Sequence, residues 1–372
     1  MIDACEQAPA WIRAIAPYVP GKPAQELARE MGMDEAGIVK LASNENPLGP
    51  SPKALEAMRA ALADITRYPD GNGFDLKQAL VRHYGVAMNQ IVLGNGSNDV
   101  LELVAHTFLA PGVSAVYSKH AFAVYMLSVQ AVGATHLETP ARDFGHDLDA
   151  MAAAIRDDTR VVFIANPNNP TGTFLQGDAL GAFLRKVPRR VIVVLDEAYT
   201  EYLGPEDRYD SIAWLKEFPN LVVSRTFSKA YGLAGLRVGF AFAHPDVADL
   251  MNRVRQPFNV NSVAQAGAIA SLSDSDYLDR SREVNAEGMR LCTEGAAALG
   301  LDFIPSRGNF FCVRVGPAAQ VYADLLKEGV IVRPVGAYAM PEWLRVSIGL
   351  PAENERFLAA LAKVVPASSR HR

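Results

Sequence analysis

Two stretches of the sequence decide the fold: residues 191–199 read VIVVLDEAY, and residues 221–229 read LVVSRTFSK. Each is a nearly continuous apolar run that ends in polar residues. Strands of a parallel sheet have this composition when helices cover both faces of the sheet. Similar runs occur at 91–93, 114–117, 161–165 and 238–243, and a helical stretch at 99–109 follows the first. The alternation predicts an α/β fold with a large, mostly parallel sheet covered by helices.

The pattern changes after about residue 280. A long amphipathic helix at 280–299 precedes a strand-like run at 309–315, a helix at 318–328 and short strands near 330–332 and 344–348. This order predicts a second, smaller α+β domain. Four prolines interrupt the first 40 residues and indicate an arm that lies on the surface. We expect the arm and the start of the small domain in 1–40, the large domain in 41–280 and the small C-terminal domain in 281–372.

The composition excludes several functional classes. Of 372 residues, 49% are apolar, and 36 lysines and arginines stand against 41 aspartates and glutamates, which gives a net charge of -5. Without a basic cluster, nucleic acid is not expected as a partner. No apolar run approaches the roughly 18–20 residues that span a bilayer, so no membrane contact is expected either. The widely spaced Cys5, Cys292 and Cys312 predict neither a disulfide framework nor a metal site, and they favour the reducing cytoplasm.

A glycine-rich turn follows the first strand of the large domain. Residues 94–98 read GNGSN and open the next helix, so the backbone N–H groups of Gly96 and Ser97 and the nearby Asn98 can face an anion. The turn lacks the third glycine of a dinucleotide fingerprint, which disfavours a nicotinamide enzyme. A plain strand-to-helix turn with Asp99 in the first helical turn remains the alternative interpretation.

Polar groups end three further strands. Asn169 follows the strand at 161–165, Asp196 and Tyr199 end the next strand, and Thr226, Ser228 and Lys229 end the one after it, with Arg237 eight residues beyond the lysine. Each group alone is typical of a cap or a solvated side chain. Together they match pyridoxal 5′-phosphate (PLP), which needs a Schiff-base lysine, a carboxylate at its ring nitrogen, donors to its phenolate oxygen and a cationic phosphate site.

These motifs resemble a known family over nearly the whole chain, from Tyr18 to about Gly349. The segments that carry the resemblance are LASNENP (41–47), RYPD (67–70), GNGSN (94–98), NNPTG (168–172), DEAY (196–199), FSKA (227–230), GLAGLR (232–237) and LRVS (344–347). They are similar to those of the fold-type I PLP-dependent aminotransferases, and within them to the histidinol-phosphate aminotransferases.

The resemblance implies a role for each matching residue. Lys229 would bond to the cofactor and later shuttle the substrate proton, while Asp196 would pair with the ring nitrogen. Asn169 and Tyr199 would donate to the phenolate oxygen. The phosphate would be held by Gly96, Ser97, Asn98, Thr226, Ser228 and Arg237. Tyr68 would reach the phosphate of a partner subunit, which implies a homodimer with shared active sites.

Two further regions concern the ring of the cofactor and the substrate. Members of the family often stack a tyrosine on the cofactor ring. This chain has Phe122 at the matching position, so the π face is kept but the hydroxyl is lost. The neighbouring His120 either compensates for that hydroxyl or is an ordinary surface histidine. Arg345 matches the arginine that binds a substrate carboxylate. The matches for the substrate phosphate end are Tyr18 and Arg333, and Asn44 of the LASNENP motif is also expected at the substrate.

The expected activity is reversible transamination between histidinol phosphate and 2-oxoglutarate, or between imidazole acetol phosphate and glutamate, in histidine biosynthesis. An aromatic amino-acid aminotransferase for phenylalanine or tyrosine is the main alternative, since it shares nearly every cofactor residue. A PLP-dependent phosphothreonine decarboxylase is a further one. A PLP-binding transcriptional regulator is disfavoured, because the segment before residue 40 is neither long nor basic enough for a DNA-binding module.

Overall fold

The computed structural model describes residues 4–370, so the first three residues of the predicted arm lie outside it. The strands are β1 (Val39–Lys40), β2 (Ile91–Gly94), β3 (Ser114–Ser118), β4 (Thr135–Thr139), β5 (Ala141–Arg142), β6 (Gly145–His146), β7 (Thr159–Ala165), β8 (Ile192–Asp196), β9 (Leu221–Thr226), β10 (Gly239–Ala243), β11 (Phe303–Ile304), β12 (Phe310–Arg314), β13 (Val330–Ile331), β14 (Arg333–Pro334) and β15 (Trp343–Ser347). The helices are α1 (Ala4–Gln7), α2 (Ala10–Arg13), α3 (Ala24–Met31), α4 (Pro52–Ala61), α5 (Phe74–Tyr84), α6 (Ser97–Phe108), α7 (Ala123–Ala131), α8 (Leu148–Ala153), α9 (Gly177–Lys186), α10 (Pro245–Val254), α11 (Ser262–Leu272), α12 (Ser275–Ala298), α13 (Ala318–Lys327) and α14 (Pro351–Val364).

The large sheet has seven strands in the order β2-β10-β9-β8-β7-β3-β4. All neighbours pair in parallel except β10, which is antiparallel to both β2 and β9. The prediction of an α/β fold with a mostly parallel sheet is therefore confirmed. Six strands place their carboxyl ends at one edge, and the reversed β10 places its amino end at that same edge.

Side chains of the sheet alternate between two hydrophobic cores. Val193 and Leu195 of β8 belong to the core on one face, and Ile192 and Val194 belong to the core on the other. Helices α5, α9 and α11 contribute to the first core, and α6, α7 and α10 contribute to the second. Burying such a side chain stabilises the fold by about 1.5–3 kcal/mol, so both faces must be covered for strands of this composition to form.

The C-terminal part forms a separate antiparallel sheet in the order β11-β12-β15-β14, next to α12, α13 and α14. The N-terminal segment joins this part, because β1 pairs in parallel with β13 and both Val39 and Leu41 lie in the same hydrophobic cluster. The boundaries at residues 40 and 280 stay a prediction, and α12 runs across the second of them.

The arm contains three short helices instead of one continuous one. Pro9 and Pro23 are the residues immediately before α2 and α3, where the missing backbone N–H costs nothing. Within residues 4–370, no helix combines the length and apolarity needed to cross a bilayer, and no group of histidine, cysteine and acidic side chains could hold a metal ion.

Candidate active site

A cavity lies at the edge of the large sheet where the carboxyl ends of its parallel strands meet. Because β10 is reversed, the loop before it returns to this edge and brings Arg237 to the cavity. Most of the residues that the sequence predicts for the site line this cavity: Tyr18, Asn44, Ser97, Asn98, Phe122, Asn169, Asp196, Tyr199, Thr226, Ser228, Lys229, Arg237, Arg333 and Arg345. Gly96 lies just behind the wall, and Tyr68 lies elsewhere.

Lys229 projects its ammonium group into the cavity just after β9. Its Nζ donates to the backbone oxygen of Ser43 at 3.0 Å and lies 5.8 Å from the centre of the Tyr199 ring. Desolvation, together with the nearby Arg345 guanidinium, lowers the pKa of Lys229 to about 7. A substantial fraction of the amine is therefore neutral near pH 7, as a nucleophile or a proton acceptor must be.

Asp196, the last residue of β8, lines the same cavity as a buried carboxyl with one unpartnered oxygen. Its Oδ2 accepts a hydrogen bond of 2.9 Å from the Tyr125 hydroxyl, whereas its Oδ1 is buried without a partner. Burial raises the pKa of Asp196 to about 6, although Tyr125 and the Ala198 N–H favour the ionised form. The carboxyl is thus ionised above pH 6 and offers Oδ1 to a cation or an N–H donor.

Asn44 and Tyr199 form a hydrogen-bonded pair in the wall. The Asn44 side chain donates from Nδ2 to the Tyr199 hydroxyl at 2.9 Å, which leaves the phenol proton available for another acceptor. Asn44 has a φ of 55°, a left-handed conformation that asparagine tolerates. Ser347 of β15 holds it there, since the Ser347 hydroxyl contacts both the backbone N–H and Oδ1 of Asn44.

Arg345 of β15 connects the small sheet to the loop after β7. Its guanidinium donates to Oδ1 of Asn169 at 2.5 Å and to the Ala42 backbone oxygen at 2.6 Å. Since Oδ1 of Asn169 is engaged, the amide nitrogen is the atom left to donate into the cavity. Nε of Arg345 is buried without a partner.

The turn between β2 and α6 forms a cradle with Arg237. Gly96 has a φ of 84°, and a Cβ at this position would collide with the Arg237 guanidinium. Arg237 bonds through Nη1 to the Ser228 hydroxyl at 3.4 Å, and the Thr226 hydroxyl accepts from the Ser228 N–H at 3.1 Å. Backbone donors at the start of a helix, two hydroxyls and a guanidinium make a site suited to a phosphate group.

The opposite end of the cavity is formed by the arm and by β14. The Arg333 guanidinium lies 5.4 Å from the centre of the Tyr18 ring and donates to the Val19 backbone oxygen at 2.6 Å. Tyr18 is 49% exposed. This end is thus built by two segments from opposite ends of the chain and is open to solvent.

The structure places the two aromatic candidates in different surroundings. Phe122 precedes α7 in the cavity wall, with its ring edge-on to Tyr125 at 5.9 Å. His120 turns away, because its Nδ1 bonds to the Tyr338 backbone oxygen at 2.5 Å. That contact fits the interpretation of His120 as an ordinary, satisfied histidine.

Tyr68 lies outside the cavity. It is 82% exposed and stacks on Phe258, with ring centres 4.8 Å apart. Its predicted contact with a partner's cofactor therefore stays a prediction.

Sequence reasoning missed Tyr125. It lies three residues after Phe122 and is fully buried, and the sequence presents it only as one more apolar residue of α7. Its partner Asp196 is 71 residues away, so no local pattern pointed to the pair.

The residues present fit PLP. The unpartnered Oδ1 of Asp196 suits a protonated ring nitrogen. The cradle at Gly96 suits the phosphate, and it exists because residue 96 has no side chain to fill it. Lys229 lies in the same cavity with a pKa near neutrality, as the covalent attachment of an aldehyde requires.

Comparison with known proteins gives consistent matches. The family model for aminotransferase class I and II matches residues 36–361. A histidinol-phosphate aminotransferase from Methylobacillus flagellatus is 64% identical over 96% of this chain and 97% of its own length. One from Nitrosospira multiformis is 61% identical over 97% of this chain and 92% of its own.

Solved structures match as well. Histidinol-phosphate aminotransferase from Sinorhizobium meliloti, in complex with pyridoxal 5′-phosphate, superposes with a TM-score of 0.90 at 32% identity and covers 98% of this chain and 99% of its own. Aspartate aminotransferase from Thermus thermophilus with maleate, at 23% identity, gives a TM-score of 0.83 over 96% of this chain and 99% of its own, and supports the fold alone.

Proposed function

We propose that this chain, which belongs to the class I and II aminotransferases and among them to the histidinol-phosphate aminotransferases, transfers an amino group reversibly between histidinol phosphate and 2-oxoglutarate. The products are imidazole acetol phosphate and glutamate, and the reaction belongs to histidine biosynthesis. The observation that carries the proposal is one cavity that is lined by Lys229, by Asp196 with its unpartnered Oδ1 and by residues of the phosphate cradle.

PLP, when bound, supplies an electron sink that stabilises negative charge on the substrate α-carbon. Asp196 would hold a proton on the ring nitrogen through Oδ1, and Asn169 and Tyr199 would donate to the phenolate oxygen. Gly96, Ser97, Asn98, Thr226, Ser228 and Arg237 would hold the phosphate.

Lys229 would move the substrate proton. With a pKa of about 7, its Nζ can accept the proton from the α-carbon and release it again at neutral pH. The hydrogen bond to the Ser43 oxygen and the wall formed by Tyr199 restrict where this amine can lie. The same side chain therefore serves as nucleophile and as general base.

The two substrates would share the open end of the cavity. Arg345 offers a guanidinium to the carboxylate of glutamate or 2-oxoglutarate, and Arg333 offers one to the phosphate of histidinol phosphate. Tyr18 contributes its ring to the position of Arg333, and Asn44 orients Tyr199.

A half-reaction screen tests the proposal. The PLP-loaded protein is mixed separately with histidinol phosphate, glutamate, phenylalanine and tyrosine, and loss of the visible absorbance of the bound cofactor is followed for each amine. Histidinol phosphate and glutamate should react fastest. Preference for phenylalanine or tyrosine would instead favour the aromatic aminotransferase, and release of CO₂ without any need for a keto acid would favour a decarboxylase.

We also propose a homodimer with shared active sites. Support comes from the exposed Tyr68, which does not line the cavity of its own chain, and from further exposed apolar side chains near it in sequence: Leu62, Ile65 and Phe74. Hybrid dimers of Tyr68→Ala and Lys229→Ala subunits should regain activity, because one site then contains both intact residues. A hybrid of Lys229→Ala and Asp196→Asn should stay inactive, and equal inactivity of both hybrids would contradict shared sites.

A cytoplasmic location completes the proposal. Its support is chemical, since Cys292 and Cys312 are buried thiols and a biosynthetic transaminase needs no oxidising compartment. Fractionation of the native cells with an antibody against the protein would test it.

A further inference from the structure

The second carboxylate oxygen of Asp196, Oδ2, is bound by Tyr125, a residue without a role in the function proposed above. The hydroxyl of Tyr125 donates to Oδ2 of Asp196 at 2.9 Å, on the side away from the free Oδ1. Both side chains are buried, at 0% and 5% exposure. Solvent therefore does not compete for this hydrogen bond.

The phenol is fixed in position and in protonation state. Its ring stacks on Phe163 of β7 with centres 5.0 Å apart and planes at 9°. Burial and the adjacent carboxylate hold the pKa of Tyr125 well above its ordinary value, so the hydroxyl keeps its proton. A phenol that cannot ionise is a permanent donor to Oδ2.

A permanent donor at one carboxylate oxygen has two consequences for the other. It fixes the rotation of the carboxylate, so that Oδ1 stays directed at the cavity. It also withdraws negative charge, which makes the carboxylate a weaker base and lowers its tendency to take a proton from a neighbouring acid.

We propose that Tyr125 is a positioning residue for Asp196, which through this hydrogen bond keeps Oδ1 on the PLP ring nitrogen and keeps their shared proton on that nitrogen. The inference rests on the proposed function only in assuming that PLP is the ligand of the cavity. Without the phenol, the more basic carboxylate takes the proton, the ring nitrogen becomes neutral and the electron sink weakens.

The test uses Tyr125→Phe, which keeps the ring and its stacking on Phe163 and removes only the hydroxyl. The matched control is Tyr117→Phe. Tyr117 lies in the same hydrophobic core on β3, and its hydroxyl contacts Nδ1 of His136 at 3.0 Å, outside the cavity. Both variants are prepared without cofactor and are loaded with PLP that carries ¹⁵N in the ring.

The first readout is the ¹⁵N resonance of the bound ring at neutral pH. Wild type and Tyr117→Phe should give the position of a protonated pyridine, and Tyr125→Phe should move toward that of a neutral one. An unchanged resonance in Tyr125→Phe would overturn the inference. If Tyr125→Phe does not fold, Tyr125→Met provides a second variant without the hydroxyl.

The second readout is the dissociation constant of PLP and of its analogue with a C–H group in place of the ring nitrogen. Without the phenol, Oδ1 is no longer held at the ring nitrogen, so Tyr125→Phe should weaken PLP by roughly 10-fold, the effect of losing the charge-assisted hydrogen bond between Oδ1 and that nitrogen. The affinity of the analogue, which cannot form that bond, should change by less than about 2-fold. Equal weakening of both ligands would mean that the hydroxyl only shapes the cavity, and would refute the positioning role.

Failure of the proposed function would look different. A wild-type protein that binds PLP, gives the protonated resonance and transfers no amino group from histidinol phosphate would refute the proposed substrate and leave the role of Tyr125 intact.

Discussion

The two ends of the cavity are built differently. The cofactor end consists of buried groups at neighbouring strand ends of one sheet, such as Asp196 and Thr226, at 5% and 2% exposure. The end proposed for the substrate phosphate consists of Tyr18 and Arg333, and the Arg333 guanidinium bonds to a backbone carbonyl 314 residues away in sequence. In the proposed function, the sheet would therefore position the groups that carry the chemistry, whereas docking of the arm would set selectivity. We expect a substitution at one end to impair the role proposed for that end and to leave the other end's role intact.

The largest effect is expected at the cofactor end from Lys229→Ala. Without Nζ there is neither a nucleophile nor a proton carrier. Loss of the proton carrier alone should lower kcat by about 10²- to 10⁴-fold. Borohydride treatment followed by peptide mass spectrometry should find no cofactor on the chain. Lys53→Ala, which removes an exposed lysine paired with Asp274, is the control and should behave as wild type. Labelling of another lysine would reassign the attachment site.

Asp196→Asn should separate catalysis from folding at the same end. The amide cannot hold a proton on the ring nitrogen, so the half-reaction rate should fall by about 10²- to 10³-fold. Stopped-flow absorbance measures it, and rates near wild type would leave Asp196 only a structural role.

The same variant should stabilise the protein without cofactor. The pKa of Asp196 rises on folding from 3.8 to about 6, so the folded state binds more protons and wild-type stability falls as pH rises across that interval. Asp196→Asn removes this cost and should be more stable by up to about 3 kcal/mol at pH 7.5, and by about half of that at pH 5. Urea unfolding at the two pH values measures the difference, and a pH-independent difference would contradict this explanation.

At the substrate end, Arg333→Gln should weaken histidinol phosphate by roughly 10- to 150-fold, which corresponds to about 1.5–3 kcal/mol for a charge-assisted hydrogen bond. Glutamate should lose much less, because Arg345 still receives its carboxylate. Half-reaction titrations with both amines measure the contrast. Equal losses for the two would show that the two ends are not independent.

The smallest effect is expected from Tyr18→Ala. Loss of the aromatic face beside Arg333 should reduce the free energy of binding by about 0.5–1 kcal/mol. This corresponds to a roughly 2- to 5-fold weaker affinity for histidinol phosphate. Tyr18→Phe keeps a π face, and its affinity for histidinol phosphate should lie between those of Tyr18→Ala and the wild type. An effect of Tyr18→Ala larger than that of Arg333→Gln would mean that the arm itself, and not the guanidinium, provides the selectivity.

The same contrast between ends explains what the sequence could predict. Six strands of the large sheet were predictable because buried strands have continuous apolar runs, and the polar groups that follow them, such as Asp196 and Lys229, are local in sequence. The reversed direction of β10 was not predictable, since an apolar run has no direction. The edge strand β4 was missed because only Thr139 is buried in it.

Contacts between distant segments were also beyond sequence reasoning. The motif around Asn44 predicted a site residue, yet its bond to Tyr199 spans 155 residues and depends on a left-handed backbone held by Ser347. The exposure of Tyr68 and the outward turn of His120 likewise follow from tertiary packing. Resemblance placed these residues near a site, and only the structure gave their partners.

The pairing of β1 with β13 has a consequence for synthesis on the ribosome. Val39 lies opposite Val330, so the segment that positions Asn44 must wait for almost the whole chain before its strand partner exists. At about 5–20 residues per second, the wait lasts roughly 15–60 seconds. During that time Val39 and Leu41 are apolar groups without their native neighbours, while the large sheet between them and the ribosome can already assemble. We therefore expect the strand ends of the large sheet to assemble first, and the end of the cavity that contains Arg333 to form only when translation is nearly complete.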